Sequence, residues 1–158
     1  MSDAQSEPSP VLKTWRRVSA LPGGKQLFSK VVSHKAPYFN SIGARVQELR
    51  PNYARVTMRK RRAVQNHIGT VHAIAVCNLL EMAMGVCAEA SIPAHLRWIP
   101  KGMDVEYLAK ADSDMTGIAE VAPGAWRPGD LEVKVTATTR AGVTAVAGVI
   151  RLWISEKH

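Results

Sequence analysis

The sequence predicts an α+β fold in which an antiparallel sheet curls around one long, buried helix. Residues 73–88 contain only two strongly polar side chains, Asn78 and Glu81, so a helix formed there must be covered by other structure. Segments that alternate polar and apolar residues lie both before and after this run, which is the period of half-buried strands. The turns between the later strands are short, which favours antiparallel neighbours.

The length and charge of the chain limit its class. The 158 residues fit a single domain over residues 11–158, preceded by a flexible N-terminus at residues 1–10. The net charge of +8 attracts anionic partners such as nucleic acid, acidic membranes or phosphate-bearing small molecules. The sign of the charge narrows the partner class but does not choose among these three.

The N-terminus and the cysteines predict a cytoplasmic protein without a membrane span. The first ten residues lack the basic start and apolar centre of an export signal. Residues 73–88 are too few to span a bilayer, which takes about 20 residues. Cys77 and Cys87 would lie about 15 Å apart along the predicted helix, which is too far for a disulfide. We expect two reduced cysteines that pack as small apolar residues.

Two small helices are predicted at residues 11–36, packed beside the main body. Residues 11–20 and residues 25–34 place apolar side chains at helical spacing, and Pro22-Gly23-Gly24 separates them. Residues 35–40 are expected to be a connector.

Strands are predicted on both sides of the long helix. Residues 53–59 alternate between apolar and polar side chains, and residues 43–49 are the expected hairpin partner across a turn at residues 50–52. After the helix, residues 95–110 are predicted to form an extended segment that is interrupted around Pro100-Lys101-Gly102, and residues 115–121 are predicted to form a strand.

The last two strands form a predicted hairpin. Residues 131–138 alternate apolar and polar side chains, and Ala141-Gly142 is a plausible tight turn. Residues 143–154 are apolar at nearly every position, so this strand is expected to be covered on both faces.

The most specific motif lies directly before and within the long helix. Asn66 is followed by Gly69-Thr70-Val71-His72, and Glu81 follows His72 after nine residues. This pattern resembles the signature of hotdog-fold acyl-CoA thioesterases of the phenylacetate-pathway type, in which an Asn precedes Gly-Thr-Val-His-Gly-Gly and an acidic residue follows in the helix. Residues 103–111 are similar to the strand after the helix in that family. The chain resembles a poorly characterised hotdog branch.

The resemblance extends over residues 42–154 and implies the hotdog fold there. The chain departs from the family pattern at two places. Ala73-Ile74 replace the usual Gly-Gly after the His, which crowds the backbone approach to a thioester. Pro100-Lys101 stand where some relatives carry a Ser or Thr near the attacking water, so one expected helper is missing.

The resemblance also implies roles for particular residues. Thioester hydrolysis needs an activated water and donors aimed at the developing oxyanion, but no cofactor. Glu81 would be the general base or a nucleophile, the Ala73 N–H would polarise the carbonyl at the helix start, and Asn66 would orient the carbonyl or the water. In this family the site lies between two protomers, so a homodimer or homotetramer is expected.

Each of these roles has a structural alternative. Glu81 could be a partly exposed residue, if the sheet encloses the helix less completely than the apolar run predicts. Asn66 could cap a turn. His72 is a further catalytic candidate, but a histidine directly before a helix more often caps it or packs against it.

A run of basic residues, Arg59-Lys60-Arg61-Arg62, lies just before Asn66. Coenzyme A carries a diphosphate and a 3′-phosphate, so a basic rim beside the site would hold its nucleotide end. The alternative is a solvated strand face with charges at its turns. The candidate substrate-binding residues are Gly69, Thr70, Arg59, Arg61, Arg62 and Lys101.

Other classes of site are excluded or rank lower. His67 and His72 lack the spacing that puts two ligands on one helix face, so no metal site is predicted. The sequence has no P-loop, dinucleotide glycine motif or Gly-x-Ser-x-Gly elbow. The tryptophans are not interleaved with the basic run, which disfavours nucleic acid as a partner.

The sequence therefore predicts a thioester hydrolase that acts on acyl-CoA or a related acyl thioester. A non-catalytic acyl-CoA-binding or regulatory hotdog protein ranks second. A hotdog dehydratase ranks third, because the chain lacks the His-plus-carboxylate arrangement that such enzymes favour.

Overall fold

The computed structural model describes residues 7–158, in which two short helices and two strands precede the long helix and four strands follow it. Residues 1–6, which make up most of the predicted flexible N-terminus, lie outside the described residues. The helices are α1 (Pro10–Val18), α2 (Gly24–Lys35) and α3 (Ala73–Ser91). The strands are β1 (Arg45–Arg50), β2 (Tyr53–Met58), β3 (Leu96–Tyr107), β4 (Met115–Glu120), β5 (Gly129–Thr139) and β6 (Thr144–Glu156).

The strands form one six-stranded sheet in the order β1-β2-β4-β5-β6-β3. All neighbouring strands are antiparallel. The sheet curves around α3, which packs chiefly against β2 and β4. The predicted α+β class and the predicted hotdog arrangement are thus confirmed.

Close packing seats α3 on the sheet. Leu79, Leu80 and Met82 are fully buried. Gly117 on β4 faces the helix, and a Cβ at this position would lie only 2.9 Å from Leu79 Cγ. The absence of a side chain at Gly117 therefore allows the helix to approach the strand closely.

The two N-terminal helices pack beside this core as predicted. Ser9 Oγ accepts a hydrogen bond from the Leu12 N–H (3.1 Å) and caps α1. Trp15 on α1 and Phe28 on α2 are buried edge to face, with ring centroids 5.1 Å apart. The Ser29 hydroxyl accepts a hydrogen bond from the Val46 N–H (2.9 Å), which ties α2 to β1.

Two segments differ from the sequence-based predictions in their local structure. The predicted connector contains a 3-10 helix over Pro37–Ser41, whose first residue is a proline and so has no N–H to leave unpaired. The long helix ends at Ser91, three residues later than predicted.

Two predictions of burial are wrong for the single chain. Leu152 and Ile154 on β6 are fully buried, but Trp153 between them is 43% exposed, so the second face of β6 is only partly covered. Buried and more exposed residues alternate over residues 150–154, as in a strand with one inward and one outward face. Cys77 is only half-buried because it lies on a side of α3 that the sheet does not cover, whereas Cys87 is buried as predicted.

Strand β3 lies at one edge of the sheet and pairs only with β6. The other side of β3 has no strand partner among residues 7–158. Ile99 and Tyr107 on this strand are each 60% exposed. An edge of 12 residues with large exposed apolar side chains can pair with another chain.

By length and composition, α3 is the one helix in the described part of the chain that could cross a membrane. However, 61% of its most apolar window is buried inside the fold. It is the core helix around which the sheet curves.

Candidate active site

Asn66 braces a tight turn immediately before α3. Asn66 Oδ1 accepts hydrogen bonds from the Ile68 N–H (3.2 Å) and the Thr70 N–H (3.1 Å), and Asn66 Nδ2 donates to Thr70 Oγ1 (2.8 Å). Gly69 has a φ of +79°, a conformation that glycine adopts without strain. Turn bracing, the alternative considered for Asn66, is therefore what its side chain does in this structure. One amide hydrogen of Nδ2 has no protein partner among residues 7–158 and is free to meet a ligand.

His72 caps the N-terminus of α3. Its Nδ1 accepts a hydrogen bond from the Ile74 N–H (3.1 Å), and its carbonyl oxygen accepts one from the Val76 N–H (3.1 Å). A nitrogen that accepts a hydrogen bond carries no proton, so the neutral ring is protonated at Nε2. The Ala73 N–H has no hydrogen-bond partner in the described part of the chain, and the helix dipole adds partial positive charge there.

A small cavity of about 130 Å³ lies at this helix start. Its lining includes Asn66, Thr70 and Ala73 from the motif, together with Tyr107 and Ala111. The structure thus brings together three of the residues predicted from the motif.

Tyr107 is a functional candidate beyond the residues that the motif gave. Its hydroxyl lies 3.9 Å from Cys77 Sγ, and the residue is 60% exposed at the edge of the cavity. The only sequence signal for Tyr107 is its position in the segment that resembles the family's strand after the helix.

Glu81 lies on a side of α3 that the sheet leaves uncovered. We call this side the open stripe, and its members recur every three or four positions, which places them on one helix face. The open stripe consists of Ile74, Cys77, Glu81, Gly85 and Glu89. Glu81 is half-buried and makes no hydrogen bond or ion pair within residues 7–158. Burial raises the pKa of its carboxyl group above the usual 4.5.

The edge strand β3 runs along the open stripe. Tyr107 contacts Cys77, and at the other end of the stripe the Trp98 indole N–H donates a hydrogen bond to Glu89 Oε1 (2.8 Å). Glu81 lies one helical turn from Cys77 and one from Gly85, between these two contacts. Along the helix, Glu81 therefore lies between two points at which side chains of α3 contact side chains of β3.

Within one chain the carboxylate and the helix start are separated. Glu81 is eight residues from Ala73, or about 12 Å along the helix axis. It does not line the cavity at the helix start.

The predicted basic residues are divided among several places. Arg59 and Arg61 line a second cavity of about 410 Å³ on the sheet. Arg62 begins a short 3-10 turn, Arg62–Val64, and is exposed. Lys101 is ion-paired with Asp130 (2.5 Å) and lines neither cavity.

The described residues contain no group of three or more His, Cys, Asp or Glu side chains that could hold a metal ion. Glu81 therefore belongs to no such group in the described part of the chain. Its surroundings are those of a lone desolvated carboxylate.

The chain matches one sequence family over residues 24–154, and that family is described as a domain of unknown function, DUF4442. No curated protein matches the chain. A solved structural-genomics protein, APC5556, is 42% identical, with a TM-score of 0.83, and the match covers 93% of this chain and 99% of that one.

Solved thioesterases share the fold at much lower identity. A thioesterase family protein from Silicibacter pomeroyi is 22% identical with a TM-score of 0.69, and the match covers 82% of this chain and 96% of that one. Thioesterase HI1161 from Haemophilus influenzae is 11% identical with a TM-score of 0.72, covering 84% and 90% respectively. The chain therefore belongs to the DUF4442 family and has the hotdog fold that solved thioesterases share.

Proposed function

We propose that this protein hydrolyses an acyl thioester, of coenzyme A or a related carrier, at a site formed by two copies of the chain. The observation that carries the proposal is Glu81, a half-buried carboxylate without a protein partner in the described chain. A carboxylate whose pKa is raised by burial is a typical feature of a catalytic site. The fold shared with solved thioesterases supports the same reaction class.

The chemistry requires few groups. Glu81 removes a proton from a water molecule, and the water oxygen attacks the carbonyl carbon of the thioester. The carbonyl oxygen becomes an oxyanion, which the Ala73 N–H and the helix dipole stabilise. The C–S bond then breaks, the thiolate leaves, and the proton held by Glu81 passes to the products. The raised pKa makes Glu81 a stronger base than an exposed glutamate.

The separation of the groups supports a site between two copies. Glu81 lies about 12 Å along α3 from the Ala73 N–H of its own chain, so one copy cannot aim both groups at the same carbonyl. A second copy related by a two-fold axis would place its helix start opposite Glu81. The free edge of β3 and the exposed Ile74, Ile99 and Tyr107 supply a surface for this association.

Replacement of Glu81 tests the proposal. Glu81→Gln keeps the size of the side chain and removes the base, so hydrolysis of acyl-CoA substrates should fall by about 10²- to 10⁴-fold. The assay uses acyl chains from acetyl to palmitoyl together with aromatic acyl groups. Glu89→Gln, on the same stripe but exposed, is the control and should retain activity. Light scattering should show the same dimeric or tetrameric mass for both variants. Unchanged turnover in Glu81→Gln would refute the assignment.

Non-catalytic binding of an acyl ligand is the second candidate. The observation in its favour is the crowded helix start, where His72 Nδ1 already accepts the hydrogen bond of the Ile74 N–H, so this N–H is not available to an oxyanion. Under this alternative, the wild-type protein binds a non-hydrolysable acyl-CoA analogue but releases no thiol from any thioester on the panel.

The cysteines support a cytoplasmic location for this activity. Cys77 and Cys87 are free thiols, and free thiols are typical of reducing compartments. Burial raises the pKa of Cys87 to about 12, which keeps it an unreactive thiol.

A further inference from the structure

The outer surface of the two N-terminal helices is strongly basic. Helices α1 and α2 carry six positive side chains and no negative ones, whereas the whole chain has a net charge of +8. Glu7, which is ion-paired with Lys13, is the one acidic residue among residues 7–47. The six basic residues, all of them exposed, are Lys13, Arg16, Arg17, Lys25, Lys30 and Lys35.

Aliphatic side chains are exposed within this basic surface. Leu27 is 57% exposed, and Val31, one helical turn later, is 47% exposed. Lys30 follows Leu27 by three residues and His34 follows Val31 by three, so all four side chains share one face of α2. The solvent-facing side of α2 thus combines apolar groups with basic ones.

A groove between the helices joins the apolar surface of α1 to that of α2. It has a volume of about 280 Å³. Val11 and Val18 line it from α1, and Leu27, Val31 and Lys35 line it from α2. The exposed apolar surface therefore extends across both helices and has a basic residue in its own lining.

The composition of this surface favours anionic lipid over other anionic partners. The aromatic residues of the two helices, Trp15 and Phe28, are buried against each other and offer no stacking platform for nucleic-acid bases. Protein interfaces are enriched in aromatic residues and depleted in lysine, whereas four of the six basic residues here are lysines. A second copy related by a two-fold axis would bring the same positive surface opposite itself, and like charges repel. Exposed aliphatic side chains among lysines and arginines are typical of helices that lie at a membrane interface.

We propose that the outer surface of α1 and α2 binds an anionic phospholipid surface. Leu27 and Val31 enter the boundary between the headgroups and the acyl chains, and the surrounding basic side chains contact the lipid phosphates. Binding is peripheral and reversible, because only two aliphatic side chains enter the lipid and the charge attraction is screened by salt. None of these residues is a candidate residue of the active site, so the inference goes beyond the proposed hydrolase and does not depend on it.

Co-sedimentation of the full chain with lipid vesicles tests this assignment. One preparation is phosphatidylcholine alone, and the other contains about one quarter phosphatidylglycerol, which gives the surface a negative potential. The anionic vesicles should bind the protein at least about tenfold more tightly, because each lysine or arginine near the surface adds attraction. Raising the salt concentration from about 0.1 M to about 1 M shortens the Debye length from about 10 Å to about 3 Å and should release most of the bound protein.

Two double variants separate the apolar contribution from the charge. Leu27→Ser combined with Val31→Ser should weaken binding to the anionic vesicles by about tenfold or more, because less apolar area enters the lipid. Lys30→Ala combined with Lys35→Ala should weaken it by about tenfold or more, because two attractive charges are lost. All four side chains are exposed, so both variants should fold, and the Tm of each reports whether they do.

Matched controls lie on the opposite part of the chain sequence. Val143→Ser replaces a similarly exposed aliphatic residue in the turn between β5 and β6. Lys134→Ala combined with Lys157→Ala lowers the net charge by the same amount as the lysine pair on α2, and both of these lysines are exposed. Both control variants should bind the anionic vesicles as the wild type does.

Several outcomes would overturn the inference. Equal binding of the two vesicle preparations would do so, as would the absence of binding to either. Equal losses from the two lysine pairs would show that net charge, and not this surface, is responsible. Unchanged binding after replacement of Leu27 and Val31 would rule out insertion of the apolar side chains. Displacement of the protein from the vesicles by poly-L-glutamate at an equal concentration of negative charge would assign the surface to an acidic polypeptide instead.

Discussion

The two faces of α3 differ in how completely the fold covers them. On the sheet side, Leu79, Leu80 and Met82 are fully buried. On the other side, the open stripe exposes 55% of Ile74 and leaves the Glu81 carboxyl group desolvated without a protein partner in the described chain. The covered face stabilises the fold, and the open stripe holds the candidate chemistry. One helix therefore has a face that stabilises the fold and a face that holds the candidate site, and both faces are largely apolar in sequence.

The difference in burial predicts very different losses of stability. Leu80→Ala removes a fully buried side chain and should lower the free energy of unfolding by about 2–5 kcal/mol. Cys77→Ala, on the open stripe, should lower it by less than about 1 kcal/mol. Denaturation in urea at one protein concentration measures both values. Equal losses would mean that the open stripe is as well packed as the sheet side.

The turn before α3 tests whether Asn66 acts through structure or through chemistry. Asn66→Ala leaves the Ile68 and Thr70 N–H groups without their acceptor and should cost about 1–3 kcal/mol. Asn66→Asp keeps this acceptor and should cost less. Melting curves and initial hydrolysis rates of the two variants provide the comparison. A stable Asn66→Asp protein that has lost turnover would show that the amide nitrogen is needed by the substrate.

The cap at the start of α3 makes a smaller contribution. His72→Ala removes the acceptor of the Ile74 N–H and should cost about 0.5–2 kcal/mol. His72→Asp supplies a different acceptor and should recover most of this loss. If His72→Asp is stable but inactive, the imidazole takes part in the reaction and is more than a cap.

The smallest expected effect is the pH dependence of the contribution of Glu81 to stability. Because burial raises its pKa, the folded protein favours the protonated carboxyl group. This contribution is complete below the unfolded value of about 4.5 and is lost as the pH rises through the raised folded value. Glu81→Gln has no such titration, so its stability relative to wild type should increase from about pH 4 to about pH 7. Urea denaturation across this range measures the difference, and a constant difference would contradict the raised pKa.

Most of the fold could be predicted from local pattern. Residues 53–59 and 131–138 alternate in a way that only a half-covered strand explains, and the corresponding strands β2 and β5 are present. The apolar run of β6 was misleading, because an outward side chain such as Trp153 can be apolar without being covered. The pattern records the polarity of a residue, whereas burial depends on what packs against it.

The candidate site could be predicted only in part. The motif gave Asn66, Thr70 and Ala73, which the structure gathers at one cavity, because they are neighbours along the chain. Tyr107 comes from a distant segment, and its position depends on the strand order. Sequence spacing carries no information about such long-range neighbours without an alignment.

The unpaired side of β3 has a consequence for handling the protein. If two copies complete each other there, the stability of each copy includes the association energy and therefore depends on concentration. Dilution would then separate the copies and destabilise the edge of the sheet without any heating. The rate of hydrolysis per molecule would decline as the fraction of associated copies falls. Purified material studied at nanomolar concentration would report on a species different from the one that works in the cell.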